Sequence, residues 1–269
     1  MKREHLKSHK RIVVKVGTTT LTYPNGQLNF QRIEKICLVL SDLCNQGKEM
    51  ILVSSGAIAA WADRLHLDER PRDILGKQAA SAVGQVILMQ IYQRFFSLFN
   101  RNVAQILLTS DVLDCKVRKE HASNTINTLI SMGVVPIINA NDTVATDELT
   151  EISENDTLSA HVAAISDSDF LIILSDIEGL YNADPRNAPQ AAFYYEVHTI
   201  TPEIEQSAGG AGSKLGTGGM ATKLSAAKIA LAHNIDALVA SGEDPEIIWQ
   251  ILSGEQRGTL FTTKSEPQR

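Results

Sequence analysis

Arg11-Ile12-Val13-Val14-Lys15-Val16-Gly17-Thr18-Thr19-Thr20 is an almost wholly apolar run that stops at a glycine and three hydroxyl side chains. Its β-branched residues Ile12, Val13, Val14 and Val16 predict a strand buried on both faces, as in a parallel sheet covered by helices. Lys15 is the exception within it, because an unpaired ammonium is expensive to bury. Either Lys15 reaches solvent as the strand ends, or it faces an anion there. Gly17 permits close backbone approach, and the hydroxyls of Thr18–Thr20 can donate to phosphate oxygens.

Similar runs recur downstream at Met50–Val53, Val103–Leu108, Val134–Ile138, Phe170–Leu174 and Asp236–Ala240. Helical stretches separate them. Asn29 can cap a helix whose apolar positions Ile33, Ile36, Cys37, Leu40, Leu43 and Cys44 follow the 3.6 period, with Gly47 as its stop. A long helix is expected after Pro71, with Leu75, Ala79, Ala82, Val86, Met89 and Tyr92 or Gln93 near one face. Further helices are expected around Ala122–Met132, over Thr157–Ile165, from the end of a glycine-rich loop (Gly209–Gly219) to about His233, and from Pro245. Tyr194–Thr199 could add an antiparallel strand, and Gly258–Thr262 a last one. Asn139–Asp156 is polar and should hold a hairpin or irregular loop, and Tyr181–Pro189 is turn-rich.

Strands followed by helices with short connections predict an α/β fold, a three-layer α/β/α sandwich around a mainly parallel sheet. Such sheets bind ligands beyond the carboxyl ends of their strands. The expected organisation is one domain over residues 1–262, its first ten residues an N-terminal extension, and a frayed polar tail over residues 263–269.

Composition narrows the function classes. In 269 residues, 43% are hydrophobic and 21% charged, the profile of a soluble globular protein. A net charge of −6 argues against nucleic-acid binding, which needs a basic face. No apolar stretch approaches the roughly 18 residues of a membrane span, and the basic start carries no signal-peptide hydrophobic region. Three cysteines (Cys37, Cys44, Cys115) without CxxC spacing read as reduced thiols, which fits the cytoplasm. Seven histidines lack metal-ligand spacing, and no HExxH or GxSxG occurs, so no metal site or hydrolase is expected. Neither GxxxxGK[ST] nor GxGxxG follows the first strand, which excludes a P-loop enzyme.

Four segments at strand ends carry the candidate chemistry. Lys15-Val16-Gly17-Thr18-Thr19-Thr20 is the first. Ser54-Ser55-Gly56-Ala57 is the second, either an anion site at a helix N-terminus or an ordinary serine cap. The third pairs Asn139-Ala140-Asn141-Asp142 with Ser153-Glu154-Asn155-Asp156. In it Asp156 either caps the following helix or belongs to a polar basin, where Asp142 would pair with an ammonium and Asn155 would bond a carboxylate or amine. The fourth joins Ser175-Asp176 to Gly216-Thr217-Gly218-Gly219-Met220-Ala221-Thr222-Lys223, either a flexible surface loop or a cradle of backbone N–H groups with Lys223 adding charge.

Taken in order, these segments resemble the amino acid kinase family. The resemblance runs from about Arg11 to Phe261. It rests on Val14-Lys15-Val16-Gly17-Thr18-Thr19, Val53-Ser54-Ser55-Gly56-Ala57-Ile58-Ala59, Val135-Pro136-Ile137-Ile138-Asn139, Asn155-Asp156 and Ser175-Asp176. It continues through Gly179-Leu180-Tyr181, Ala183-Asp184-Pro185-Arg186 and Leu215-Gly216-Thr217-Gly218-Gly219-Met220. Acetylglutamate kinases, carbamate kinases and aspartokinases carry a double glycine after the lysine-bearing strand. The single Gly17 followed by threonines is similar instead to the branch acting on free glutamate.

The resemblance implies transfer of the ATP γ-phosphate to the γ-carboxylate of L-glutamate, giving γ-glutamyl phosphate, the first step of proline biosynthesis. It implies that Lys15, Ser175, Asp176, Thr217, Gly218, Gly219, Met220, Ala221, Thr222 and Lys223 contact ATP, with Mg²⁺ on the phosphates. It places glutamate around Ser55, Asp142 and Asn155, and makes Asp156 the group that orients the catalytic Lys15 and Lys223. It also implies a homo-oligomer, a dimer or tetramer, and a downstream glutamyl phosphate reductase as a possible partner. Two departures are visible: Ala140 stands where the family often has glutamate, and no C-terminal PUA domain is expected. The alternatives are a sibling carboxylate or carbamate kinase, such as an acetylglutamate kinase, and a non-catalytic nucleotide-binding sensor.

Overall fold

The computed structural model describes residues 3–65, 71, 73–144, 155–183, 188, 190–208 and 219–263. Among the described residues, eight strands are β1 (Arg11–Val16), β2 (Glu49–Ser54), β3 (Val103–Leu108), β4 (Val135–Ala140), β5 (Phe170–Ser175), β6 (Glu196–Val197), β7 (Asp236–Ser241) and β8 (Thr259–Phe261). They form one sheet in the order β3-β4-β2-β1-β5-β7-β8-β6. The six strands from β3 to β7 are parallel. β8 runs antiparallel to β7, and β6 pairs parallel with β8.

The helices are α1 (Thr18–Leu21), α2 (Phe30–Asn45), α3 (Ala57–Arg64), α4 (Ile74–Leu98), α5 (Ser110–Asp114), α6 (Lys116–Ser131), α7 (Asn155–Ile165), α8 (Pro202–Ala208), α9 (Met220–Ala232) and α10 (Ile247–Leu252). The twofold alternation of strands sorts them into two outer layers. Ile12, Val14 and Val16 join a core with Ile36 and Leu40 of α2, Leu88 and Phe96 of α4 and Ile251 of α10. Val13 joins the opposite core with Ile126 of α6, Leu158 of α7 and Ala227 of α9. Lys15, two residues from Val13, falls on the α7–α9 side. The predicted three-layer α/β fold is therefore the observed one.

Local signals behave as their chemistry dictates. Asn29 caps α2, its side chain accepting from the Arg32 N–H at 3.0 Å. Cys37, Cys44 and Cys115 are free thiols, and burial pushes the Cys37 and Cys44 thiols up. The N-terminal extension packs onto the domain through Arg3, Leu6 and His9. Leu6 is wholly buried, and Arg3 donates from its backbone to Gly254 and from its side chain to the Arg257 carbonyl.

Three expectations need correction. Of the α4 stripe drawn on Leu75, Ala79, Ala82, Val86, Met89 and Tyr92 or Gln93, the first four face outward, with Leu75 77% and Val86 59% exposed, while Met89 and Tyr92 pack on the core. The buried face carries Ala80, Ser81, Gly84, Gln85, Leu88, Tyr92 and Phe96. The helix is apolar nearly all round, and its buried polar residues hold partners described below, so periodicity alone selects the wrong face. Second, the short β6 runs antiparallel to the main sheet but parallel to β8, its actual neighbour. Third, α7 begins at Asn155, so Asp156 lies inside the first turn instead of capping it. Residues 145–154 of Asn139–Asp156, where a hairpin or irregular loop is expected, most of Gly209–Gly219, part of Tyr181–Pro189 and most of the tail fall outside the described residues.

One contact fixes how α4 sits. A Cβ on Gly84 would lie 1.8 Å from the Ala57 carbonyl oxygen and 3.0 Å from the Trp61 Cβ, so α3 and α4 meet at backbone distance. Gly84→Ala should therefore lower unfolding free energy by about 3 kcal/mol, the upper end for overpacking. Chemical denaturation checks this; unchanged stability would mean that the helices part freely.

Candidate active site

Because six strands are parallel, the carboxyl ends of β1, β2, β4, β5 and β7 share one edge of the sheet. Val16 pairs with Ser54 on one side and Leu174 on the other, and Ser175 with Ser241. Lys15 sits one residue before the end of β1. Asp156 is in the first turn of α7, and Lys223 is in the first turn of α9.

These three side chains meet. Lys15 Nζ lies 2.5 Å from Asp156 Oδ1, and Lys223 Nζ lies 3.3 Å from Asp156 Oδ2. The Thr222 hydroxyl donates to the same Oδ2 at 2.8 Å. Lys15, Asp156 and Lys223 are only 8%, 1% and 4% exposed. Burial pushes the Asp156 carboxyl up, but attraction to Lys15 and then Lys223, with hydrogen bonds from Lys15 and Thr222, holds it below the usual carboxylate range. Asp156 is thus an anion between two cations, and the trio keeps one excess positive charge. A Cβ on Gly17 would stand 3.4 Å from Lys15 Nζ. Glycine there keeps the space over the ammonium open.

Beside the trio lies a chain of amides. Asn155 Nδ2 donates to Ser55 Oγ at 2.7 Å and to Asn139 Oδ1 at 3.0 Å. Asn139 Nδ2 donates to Gln85 Oε1 at 2.9 Å, and its Oδ1 also accepts from the Ala140 N–H at 2.9 Å. Among the described residues, the buried Asn155 Oδ1 atom has no hydrogen-bond partner. Ser81 Oγ donates to Asp142 Oδ2 at 3.1 Å. Burial pushes the Asp142 carboxyl above its ordinary range, and the Ser81 hydrogen bond offsets only part of this. Ser54, the last residue of β2, turns away from the amides to bond the buried Tyr92 hydroxyl at 2.7 Å, and Ser55, just beyond it, faces them.

Of the other predicted contacts, Ser175 is buried at the end of β5 and donates to the exposed Asp176 at 2.9 Å. Gly219 precedes α9, where Met220 packs on the core and Ala221 is exposed. Thr217 and Gly218 lie outside the described residues. Sequence reasoning missed Ser81, Gln85 and the linking role of Asn139. Two polar residues four apart on one α4 face were the available signal. Among the described residues, no group of three or more His, Cys, Asp or Glu side chains could hold a metal ion.

The sequence profile of the amino acid kinase family matches residues 10–241, from just before β1 to the end of β7. The chain belongs to the amino acid kinase family. It is 53% identical over 265 residues to the glutamate 5-kinase of Clostridium perfringens, covering 97% of this chain and 98% of that one. It is 51% identical over 267 residues to the glutamate 5-kinase of Listeria monocytogenes, covering 98% and 97%. The carbamate kinase from Giardia lamblia bound to AMP-PNP superposes with a TM-score of 0.67 at 14% identity, covering 96% of this chain and all of that one. UMP kinase from Ureaplasma parvum gives 0.64 at 18% identity, covering 94% and 99%. At those identities the structures speak for the fold alone. As an amino acid kinase family member, the chain is an ATP-using phosphotransferase. Among the described residues no helix is long and apolar enough to cross a membrane.

Proposed function

We propose that the chain transfers the γ-phosphate of ATP to the γ-carboxylate of L-glutamate, as a glutamate 5-kinase. One observation carries the reading: a carboxylate holding two lysines shares a sheet edge with two acceptors suited to an ammonium, Asp142 and the Asn155 Oδ1. Identity above 50% to glutamate 5-kinases along nearly the whole chain supports glutamate as the substrate.

A glutamate γ-carboxylate is ionised at pH 7, so no general base is needed. One of its oxygens forms a bond to the γ-phosphorus. The bond from that phosphorus to the β,γ-bridging oxygen breaks, and ADP leaves with the electron pair. The obstacle is electrostatic, because an anion must approach a polyanion, and phosphoryl transfer is mostly positioning and charge stabilisation. Lys15 and Lys223 would stabilise the transferring group from two sides, and Asp156 would hold them against mutual repulsion. Ser175, Asp176 and the segment from Thr217 to Lys223 would contact ATP. Mg²⁺ would be held chiefly by the phosphates, neutralising part of their charge.

Asp142 would pair with the substrate ammonium. Its raised pKa sets the sign of a pH effect: the carboxyl must lose its proton to pair, so affinity falls as pH drops through a value above the ordinary carboxylate one of about 3.9. The glutamate KM should climb with acid in the wild type. In Asp142→Asn it should be about 10–100-fold higher at pH 7, with this acid limb lost. A KM unchanged by the substitution at pH 7 rejects the pairing.

A single domain in the cytoplasm, passing its acyl phosphate to a reductase, completes the proposal. The outward stripe Leu75, Ala79, Ala82 and Val86 repeats every three or four residues, as in helices that pack on a second copy, and supports a homo-oligomer. The deciding assay measures ADP release with glutamate, N-acetylglutamate, aspartate and carbamate, trapping acyl phosphate with hydroxylamine. Turnover on another acceptor but not glutamate overturns the substrate. ATP binding without turnover on any acceptor would favour a sensor.

A further inference from the structure

We propose that Ser81 and Gln85, buried neighbours on α4, are positioning residues that set selectivity for a free α-amine. The inference rests on the glutamate reading above and adds residues from a helix outside the strand ends. Ser81 would act by orienting Asp142, and Gln85 by fixing, through Asn139, which way the Asn155 amide points.

The direction of the amide chain follows from one unambiguous donor. A backbone N–H can only donate, and that of Ala140 donates to Asn139 Oδ1. The Asn139 Nδ2 is thereby turned to the other side, where Gln85 Oε1 accepts from it. With Asn139 Oδ1 established as an acceptor, Asn155 must present its Nδ2 to it. The second Nδ2 hydrogen is spent on Ser55 Oγ. Both Asn155 donors are therefore committed, and the buried Oδ1 is the atom left for a ligand. Of the carboxylate-or-amine alternatives open to Asn155, this orientation favours the amine, because a carboxylate offers no hydrogen to that oxygen.

Ser81 supplies the second half. It gives Asp142 one neutral hydroxyl, and among the described residues no cation pairs with that carboxylate. An ammonium is the group that both an uncompensated carboxylate and an unpaired amide oxygen attract. Ser81 and Gln85 are four residues apart, hence on one face of α4, and only 3% and 6% exposed. Gly84 between them locks that face against α3. One rigid helix thereby orients both acceptors.

Glutarate, which is glutamate without its amine, provides the test. The wild type should bind glutarate at least about tenfold more weakly than glutamate, measured as an inhibition constant against the glutamate KM. Ser81→Ala and Gln85→Met should each raise the glutamate KM by about tenfold, the scale of a weakened hydrogen bond to a charged group. Glutarate inhibition, the ATP KM and kcat at saturating glutamate should stay within about twofold of wild type. Ser81→Thr keeps a hydroxyl and Gln85→Glu keeps an oxygen for Asn139, so both should retain the discrimination. Equal weakening of glutamate and glutarate, which general loosening would produce, overturns the proposal, as does unchanged discrimination in both loss variants. If Gln85→Met fails to fold, the Ser81→Ala and Ser81→Thr pair decides on the same criteria. A wild type that turns over glutamate without preferring it to glutarate overturns the inference alone. One that does not turn over glutamate overturns the glutamate reading and this inference with it.

Discussion

Replacing Lys15 or Lys223 by alanine should lower kcat by roughly 10²–10³, the cost of removing one preorganised donor from a phosphoryl or acyl transition state. The glutamate KM should move far less, because the proposed ammonium partners Asp142 and Asn155 stay in place. Both lysines bind the same carboxylate, yet from different supports. Lys15 stands on the central strand β1, and Lys223 on the first turn of α9. Neither can replace the other, because each reaches a different oxygen of Asp156. Steady-state kinetics at saturating ATP and glutamate separates the effects; a lysine variant with near-normal kcat would remove that lysine from the reaction.

Asp156→Ala should affect stability as well as rate. It leaves two buried ammonium groups close together with no carboxylate between them, and breaking such a pair costs about 3–5 kcal/mol. Its pH dependence has a definite sign. The Asp156 carboxyl is held low in the fold by Lys15 and Lys223, which outweigh the upward push of burial. Its stabilising contribution is therefore fully present above the unfolded value of about 3.9 and is lost as pH falls through the lowered folded value. The stability gap between wild type and Asp156→Ala, from denaturant titrations, should be flat near neutrality and close under strong acid. A gap absent at pH 7 would show that the carboxylate does not hold the lysines.

The parallel sheet was legible because its strands are mostly apolar and several stop at glycine, serine or asparagine. Lys15 stood out because a strand buried on both faces has no cheap place for it. Asp156 was ambiguous between cap and ion partner, since only the meeting of β1, α7 and α9 supplies its cations, and Lys15 is 141 residues away in sequence. The buried face of α4 was illegible for another reason. Leu75 and Val86 are apolar yet exposed, and Ser81 and Gln85 are polar yet buried, so the usual partition fails on both sides. Asn139 could be recognised as a strand-end residue, but its two-sided hydrogen bonding depends on α4 and α7 approaching β4 together.

The strand order also has a consequence for how the chain is made. β1 lies between β2 and β5, and those neighbours are complete only at residues 54 and 175. A nascent chain can pair β1 with β2 early and add β4 and β3, which leaves the other edge of β1 open until β5 emerges. The face that carries Lys15 gains α7 before β5 but is completed only when α9 follows at residues 220–232. Lys15, a buried amine, is thus among the first residues synthesised and among the last to be enclosed. Its solvent protection, followed by hydrogen exchange or lysine labelling during refolding, would mark completion of the sheet.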